Sequence, residues 1–500
     1  MPAIRRKPSE DSASHKRHRK SIQVSYAYDF SSESEEEYVD LKADLDVASR
    51  SKSKNDGSSR VSRVYVSLTR RKAATNATEA TAPGPIAISG ILLRPTVAFD
   101  TFWRFAAERK AIYDRRRAGE PAPWVSVSLN PWVDLQTIFA RWTNDVILQK
   151  YFFCNIYRVL DKVCQYIIKE VIEKGPQDPA EVVFRVVLFN LFTKIETWEL
   201  LVENLGPLTW TKYNRSSYIK VLSAAANGGM TLYTGAFIKP APRFGYAENF
   251  RNHLCLLEVL MENDFPGKLL SAPYMADVFE YLVSFPSMGE FTAYQLMLSL
   301  SYTNVLNFHR DDFVIAGPGS MSGLKKLFGR SMDEASHDPA FAIEVMRYLA
   351  DTQKQHFKRL GLAFSGLGPT KLPMDVSDIE HTLCEVDKYC RVAHPQLKGK
   401  RTNITRSFEP SRLGSLPKPI LPSAWSHPSR NTPRIRPNKK LVIDKRYIID
   451  EIKDHKNGPN GMLYLVYWDG YSAEDATWEP EELILADAPI ALHKYKAKIA

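Results

Sequence analysis

Charged residues set among apolar ones are the first positions in this sequence that could do chemistry. Arg158, Asp161, Glu196, Asp312, Glu380, Glu385, Asp387 and Lys388 all fall in stretches whose apolar residues recur at helical spacing. Burying such groups is costly unless they are paired or put to use, so each is either an interhelical ion pair or part of a site. His253, His309, His337 and His381 show no metal-ligand spacing such as HExxH, and Cys154, Cys164, Cys255, Cys384 and Cys390 contain no CxxC pair. No metal site and no cofactor are therefore predicted, and the cysteines read as reduced thiols, mostly core. Trp103, Trp124, Trp132, Trp142, Trp198 and Trp210 could stack a flipped base, but tryptophans more commonly fill volume, and core is the reading for each.

The elements that must position these residues are helical. From Arg94 to His394, glycine and proline separate apolar-periodic stretches at Trp142–Lys174, Pro179–Asn204, Tyr246–Asn263, Tyr274–Val283, Phe291–Tyr302 and Phe341–Leu360. Apart from a short extended piece at Thr231–Ile238, strand signals are scarce, and an all-α domain over 93–394 is predicted. A chain of 500 residues exceeds the size of one hydrophobic core, so the fold class is multidomain. No run of eighteen apolar residues occurs, and Met1–Lys20 is polar and basic, which predicts a soluble intracellular protein with no membrane partner.

Two regions read as disordered by composition. Residues 1–92 carry the basic cluster His15–Lys20, the acidic serine block Ser31–Glu37 and a second basic stretch ending at Arg70–Arg71–Lys72. Residues 395–440 are rich in Pro and Ser and hold eleven Lys or Arg against one Glu, an excess equal to the +10 of the whole chain. Such a segment is predicted to be a flexible linker whose positive charge, including Lys439 and Lys440, suits a phosphate backbone or merely aids solubility.

Within the helical domain, Phe285-Pro286-Ser287-Met288-Gly289-Glu290-Phe291-Thr292-Ala293-Tyr294-Gln295 resembles the helix-hairpin-helix of the DNA glycosylase superfamily, which reads roughly Leu-Pro-Gly-Val-Gly-x-x-Thr-Ala. Small residues permit a tight turn, after which the next helix presents free amides to a DNA phosphate. The resemblance implies DNA contact at Met288, Gly289 and Thr292. It also implies an aspartate about twenty residues beyond the hairpin facing a base pocket: Asp312 is the first candidate catalytic residue and Asp311 the second, beside a flexible glycine-rich loop at Ala316–Ser320. Ser287 replaces the first hairpin glycine, and Phe291 stands where lyase members carry lysine, which argues against Schiff-base chemistry.

A narrower likeness runs over most of Trp142–Arg391. Phe153–Asp161, Phe192–Trp198, Phe291–Gln295, Asp312-Phe313-Val314 with Gly317-Pro318-Gly319, and Asp378–Tyr389 resemble, in order, the hydroxymethyluracil DNA kinase helical domain, or glutamyl/putrescinyl thymine pyrophosphorylase, family. That resemblance implies recognition or processing of modified pyrimidines in DNA.

Residues 441–500 resemble a chromodomain. Tyr447–Ile452, Tyr464–Tyr471 and Thr477–Leu483 carry the pattern, with Asn457–Gly461 as hairpin punctuation, strand-like alternation at Leu463, Leu465 and Tyr467, and helical spacing after Leu485. The family implies a small β-barrel with a C-terminal helix and an aromatic cage at Tyr447, Trp468 and Tyr471 for a methylated lysine, with Asp475 and Glu479 adding electrostatic help. A histone tail would be held as an added strand before Tyr447, and Trp478 reads as core. Together these features predict a nuclear, chromatin-associated protein whose partners are methylated histone tails, DNA and chromatin-complex proteins; a non-catalytic adaptor is the alternative to an enzyme on DNA bases.

Overall fold

The computed structural model describes residues 3–4, 83–118, 142–235, 239, 241–242, 244–335, 339–399, 401–408, 416–437, 441–442, 447–459, 461–468 and 471–499. Trp124, Trp132, His337, Lys439, Lys440 and nearly all of the predicted tail lie outside them. Among the described residues, no helix is long and apolar enough to cross a membrane.

Helices build the central domain around one continuous core. Val97–Arg117, Pro339–Arg359 and Val376–Ala393 are the long ones, and Pro318–Phe328 packs against the last of these. That approach is close enough that a Cβ on Gly323 would come within 2.4 Å of the Leu383 carbonyl oxygen. The domain starts earlier than the expected boundary at 93: strands Ile86–Ile88 and Ile91–Leu93 form a hairpin whose Ile86, Ile88 and Leu93 join the core.

Two predicted helices are broken. Pro179–Asn204 divides at Thr193, which takes a left-handed φ of 49°, into Pro179–Phe192 and Ile195–Leu205. Trp142–Lys174 is α-helical only at Val146–Lys150 and Lys162–Tyr166, followed by a π-helical turn at Ile167–Ile172. Between them the backbone is spent elsewhere: Phe152 donates to the Arg406 carbonyl and Phe408 to that of Lys150, while Asp161 accepts from the Asn155 backbone and side chain at 3.1 and 2.9 Å. Residues 231–235 form no strand.

The largest departure is the linker. Its described residues lie on the helical domain, with Phe408, Leu416, Leu421 and Trp425 against the core and Arg430 buried. Six apolar side chains, these four with Leu397 and Ile404, and one buried arginine outweigh the Pro- and Ser-rich composition.

The C-terminal unit has its own core, formed by Ile449, Ile452, Tyr464, Val466, Trp468, Ile484 and residues of the final helices. Strands Tyr447–Gly458, Gly461–Trp468 and Thr477–Pro480 pair antiparallel in that order, and helices Glu481–Asp487 and Pro489–Ile499 follow. The middle strand exists as predicted, but its buried face is Tyr464, Val466 and Trp468 rather than Leu463, Leu465 and Tyr467. Both faces are apolar in sequence, so alternation alone could not choose between them. Trp478 is half-buried, with the Lys456 ammonium 3.8 Å from its ring centre.

Candidate functional site

The buried charges converge at the start of helix Val376–Ala393. Asp375 caps that helix, and Asp375 and Asp378 form a reciprocal capping box. Arg310 reaches both carboxylates, at 3.0 and 3.6 Å, and the Arg158 amide donates to Asp378 at 3.2 Å, while its guanidinium meets Gln295. Burial, reinforced by Asp375, holds the Asp378 carboxyl well above the usual range. Glu380 is likewise raised by burial, against hydrogen bonds from Ser320 and the Gly317 backbone. These donors come from the predicted glycine-rich loop, which is not a loop: Gly317 caps and Pro318 opens a helix, and Ser320 is fully buried.

Arg158, Tyr302, His309, Arg310, Asp378, Trp425 and Arg430 line a cavity of about 40 Å³ here. It has room for water but not for a base, since ligand pockets run to several hundred Å³. Trp425 and Arg430 come from the former linker, and the strap 416–437 crosses this face. Arg430 donates to the carbonyls of Ser301, Thr303 and Leu306 at 2.8 to 2.9 Å and to Asn307 Oδ1 at 3.1 Å. Arg310 stacks on Trp425 at 5.2 Å and Arg434 on Phe308 at 4.4 Å, while Arg436 pairs with Asp277 and Glu280 at 2.9 and 2.7 Å. Arg430, Arg434 and Arg436, which belong to the segment whose charge suited a phosphate backbone, are engaged with protein.

Asp312 sits under the strap. Its carboxylate accepts the His309 amide at 2.8 Å and the Arg434 amide at 2.6 Å, and burial raises its pKa despite both bonds. Asp311 is more open, with 39% of its side chain exposed, and accepts the Val376 amide at 3.0 Å. Burial raises its carboxyl too. Arg347 grips the backbone carbonyls of both.

The hairpin joins helices Met275–Ser284 and Glu290–Leu300. Ser287 adopts a φ of 58°, the left-handed conformation that a glycine at this position would take without strain. Met288 and Thr292 are buried, so of the three predicted DNA contacts only Gly289 faces outward.

The other singled-out charges are paired or exposed. Lys388 meets Glu385 at 2.9 Å within one helix, and Glu385 also accepts the Cys154 amide. Asp387 joins Arg391 and accepts from Ser322 of a neighbouring helix; Glu196 is exposed. One group that spacing did not reveal is Cys154, Asp161 and His381, whose ligand-type atoms lie within 4.8 Å of one another. Burial and the nearby Arg158 guanidinium hold the His381 imidazole down at about 4, and burial lifts Asp161 to about 7. Donor types suit a borderline cation, but Arg158 and Arg109 beside Asp161 oppose one. None of the described cysteines forms a disulfide.

In the C-terminal unit the three predicted aromatics come together. The Tyr447 ring lies 6.2 Å from Trp468 and 5.8 Å from Tyr471, at 74° and 67° to them, with Trp468 buried and Tyr471 exposed. Trp468 is held by a relay: its Nε1 donates to the Thr477 hydroxyl at 3.0 Å, which donates to Glu479 at 2.7 Å. Glu479 is buried and is linked to Trp468 through Thr477. Asp475 caps the turn after Tyr471 by accepting from Ser472 N and Oγ. Sequence reading missed Thr477, whose polarity inside a strand was the available signal.

A helical domain that gathers buried charge at one face is followed by a small antiparallel sheet that groups three aromatic rings, which defines a two-part protein. Residues 96–129 and 135–399 match the family described as 5-hmdU DNA kinase, helical domain, and the chain belongs to it. Residues 447–498 match the chromo (chromatin organisation modifier) domain, so the C-terminal unit is a chromodomain. A 5-hmdU DNA kinase of Bacillus phage SP10 is 23% identical over 267 residues, covering 50% of this chain and 40% of the phage protein. The chain thus spans less than half the length of that relative. No solved structure matches.

Proposed function

We propose that this is a nuclear, chromatin-associated protein whose chromodomain binds methylated lysine on histone tails and whose helical domain binds or processes modified pyrimidine bases in DNA. The observation that carries the reading is the corner of Tyr447, Trp468 and Tyr471, whose negative ring faces suit an ammonium that sheds its water cheaply. The phage kinase's name and the family's description support DNA as the second ligand. The test of the reader is binding of trimethyl-lysine histone peptides, which Trp468→Ala abolishes; equal binding by the variant sinks the cage.

A second reading of the helical domain, as a non-catalytic scaffold for DNA or protein, is favoured by one observation: both oxygens of Asp312 are taken up by backbone amides and the adjoining cavity is too small for a base. For base processing, Asp311, with 39% of its side chain exposed, is better placed than Asp312. Incubating the protein with duplexes containing thymine, hydroxymethyluracil or methylcytosine, followed by nucleoside mass spectrometry, separates the two. Altered nucleosides establish processing; unaltered ones with retained DNA binding establish the scaffold.

A further inference from the structure

The chromodomain sheet has a fourth strand that the sequence does not announce. Ala3–Ile4 pairs antiparallel with the outer edge of Tyr447–Gly458, Ala3 opposite Ile448 and Ile4 opposite Tyr447, and also lies beside helix Glu481–Asp487. It thereby fills the edge directly at the aromatic corner, one of whose rings belongs to its own pairing partner. An open sheet edge offers unpaired amides and carbonyls, and an extended peptide that adds itself there gains main-chain hydrogen bonds whatever its side chains.

The segment has the chemistry of a ligand for this place. Two residues able to extend, Ala3 and Ile4, are followed at once by Arg5, Arg6 and Lys7, while the elements around the corner carry Glu474, Asp475, Glu481 and Glu482. A short extended stretch with a basic continuation is also what a histone tail brings to a methyl-lysine cage.

We infer that the chain's own Ala3–Ile4 strand is an internal competitor, occupying the edge that a methyl-lysine peptide must use, so that reader affinity is set by displacement of this strand. The inference rests on the methyl-lysine reading of the cage. The strand is short, so the docked state is only moderately favoured and a peptide with a cage-filling lysine displaces it.

Two measurements on the full chain test this, comparing it with a deletion of Pro2–Ser9 and with Ile4→Pro, which removes a backbone donor without touching the barrel. The first is hydrogen exchange at the Tyr447–Ile449 amides, which is faster in both variants if the strand docks; unchanged exchange overturns docking whether or not histone peptides bind. The second is affinity for a trimethyl-lysine histone peptide. If the strand is docked four-fifths of the time, both variants bind about fivefold more tightly than the intact chain. Equal affinity for intact chain and variants overturns competition, and absence of binding by all three overturns the reader itself while leaving the exchange result to stand alone.

Discussion

The backbone amide of Arg434 donates to the carboxylate of Asp312 at 2.6 Å, tying the strap outside the matched family region to the aspartate that hairpin spacing singles out. Replacing Asp312 with alanine leaves that amide and the one from His309 without this acceptor. The expected cost is about 1–3 kcal/mol of stability, read by urea denaturation, with faster tryptic cleavage after Arg434. Unchanged stability accompanied by lost nucleoside processing would instead place Asp312 in catalysis.

Arg430 is the strap's anchor. Its guanidinium is buried, and burial lowers its pKa to about 10. Arg430→Ala strips hydrogen bonds from three carbonyls that end the helix Glu290–Leu300 and its following turn, and about 2–4 kcal/mol of stability is expected to go with them. Arg430→Lys recovers little, because an ammonium cannot reach several diverging acceptors at once. Full recovery by lysine would show that charge rather than the fork holds the strap.

In the chromodomain, Thr477→Val keeps every ring of the cage and removes only the oxygen that orients Trp468. Trimethyl-lysine peptide binding is expected to weaken about tenfold, or about 1.4 kcal/mol, with the fold retained by circular dichroism. Thr477→Ser, which keeps the hydroxyl, restores it. If valine binds as well as threonine, the relay through Glu479 does not position the indole.

The helical class, the chromodomain and the grouping of Tyr447, Trp468 and Tyr471 were legible because each is written in apolar period or in residue type. Strand parity was not: Leu463 and Tyr464 are both apolar, and only the packing of Trp468 decides which face turns inward. The strap was hidden because its anchoring lies in one guanidinium and a few apolar side chains inside a Pro- and Ser-rich run, below any window average. The glycosylase resemblance singles out Asp312, but it cannot report that the backbone amides of His309 and Arg434 occupy its oxygens. Ala3–Ile4 is two residues long, and nothing local marks it as a strand.

Ser287 holds a left-handed backbone in the hairpin, a conformation that costs a non-glycine residue roughly 1–2 kcal/mol. Ser287→Gly relieves that strain while loosening the unfolded chain, so a net gain of about 0.5–1 kcal/mol in urea denaturation is expected. A loss instead would mean that the Ser287 side chain contributes more than its backbone costs.

Asp161 and His381 approach to 3.8 Å with opposite shifts, and their pH signatures oppose each other. Asp161 keeps its proton to about 7 in the folded chain against 3.8 in the reference state, so between these values the folded state binds more protons and stability falls as pH rises. His381, lowered from 6.5 to about 4, stays neutral where the unfolded imidazole is charged, so stability rises with pH across that window. Around pH 5 to 6 both groups are neutral, and the contact is not an ion pair. Asp161→Asn removes only the falling contribution. Its stability relative to the unmodified chain is therefore expected to climb between pH 4 and 6.5, by up to about 1.4 kcal/mol per unit, in urea denaturation. Parallel stability curves would show that Asp161 is ionised throughout this range.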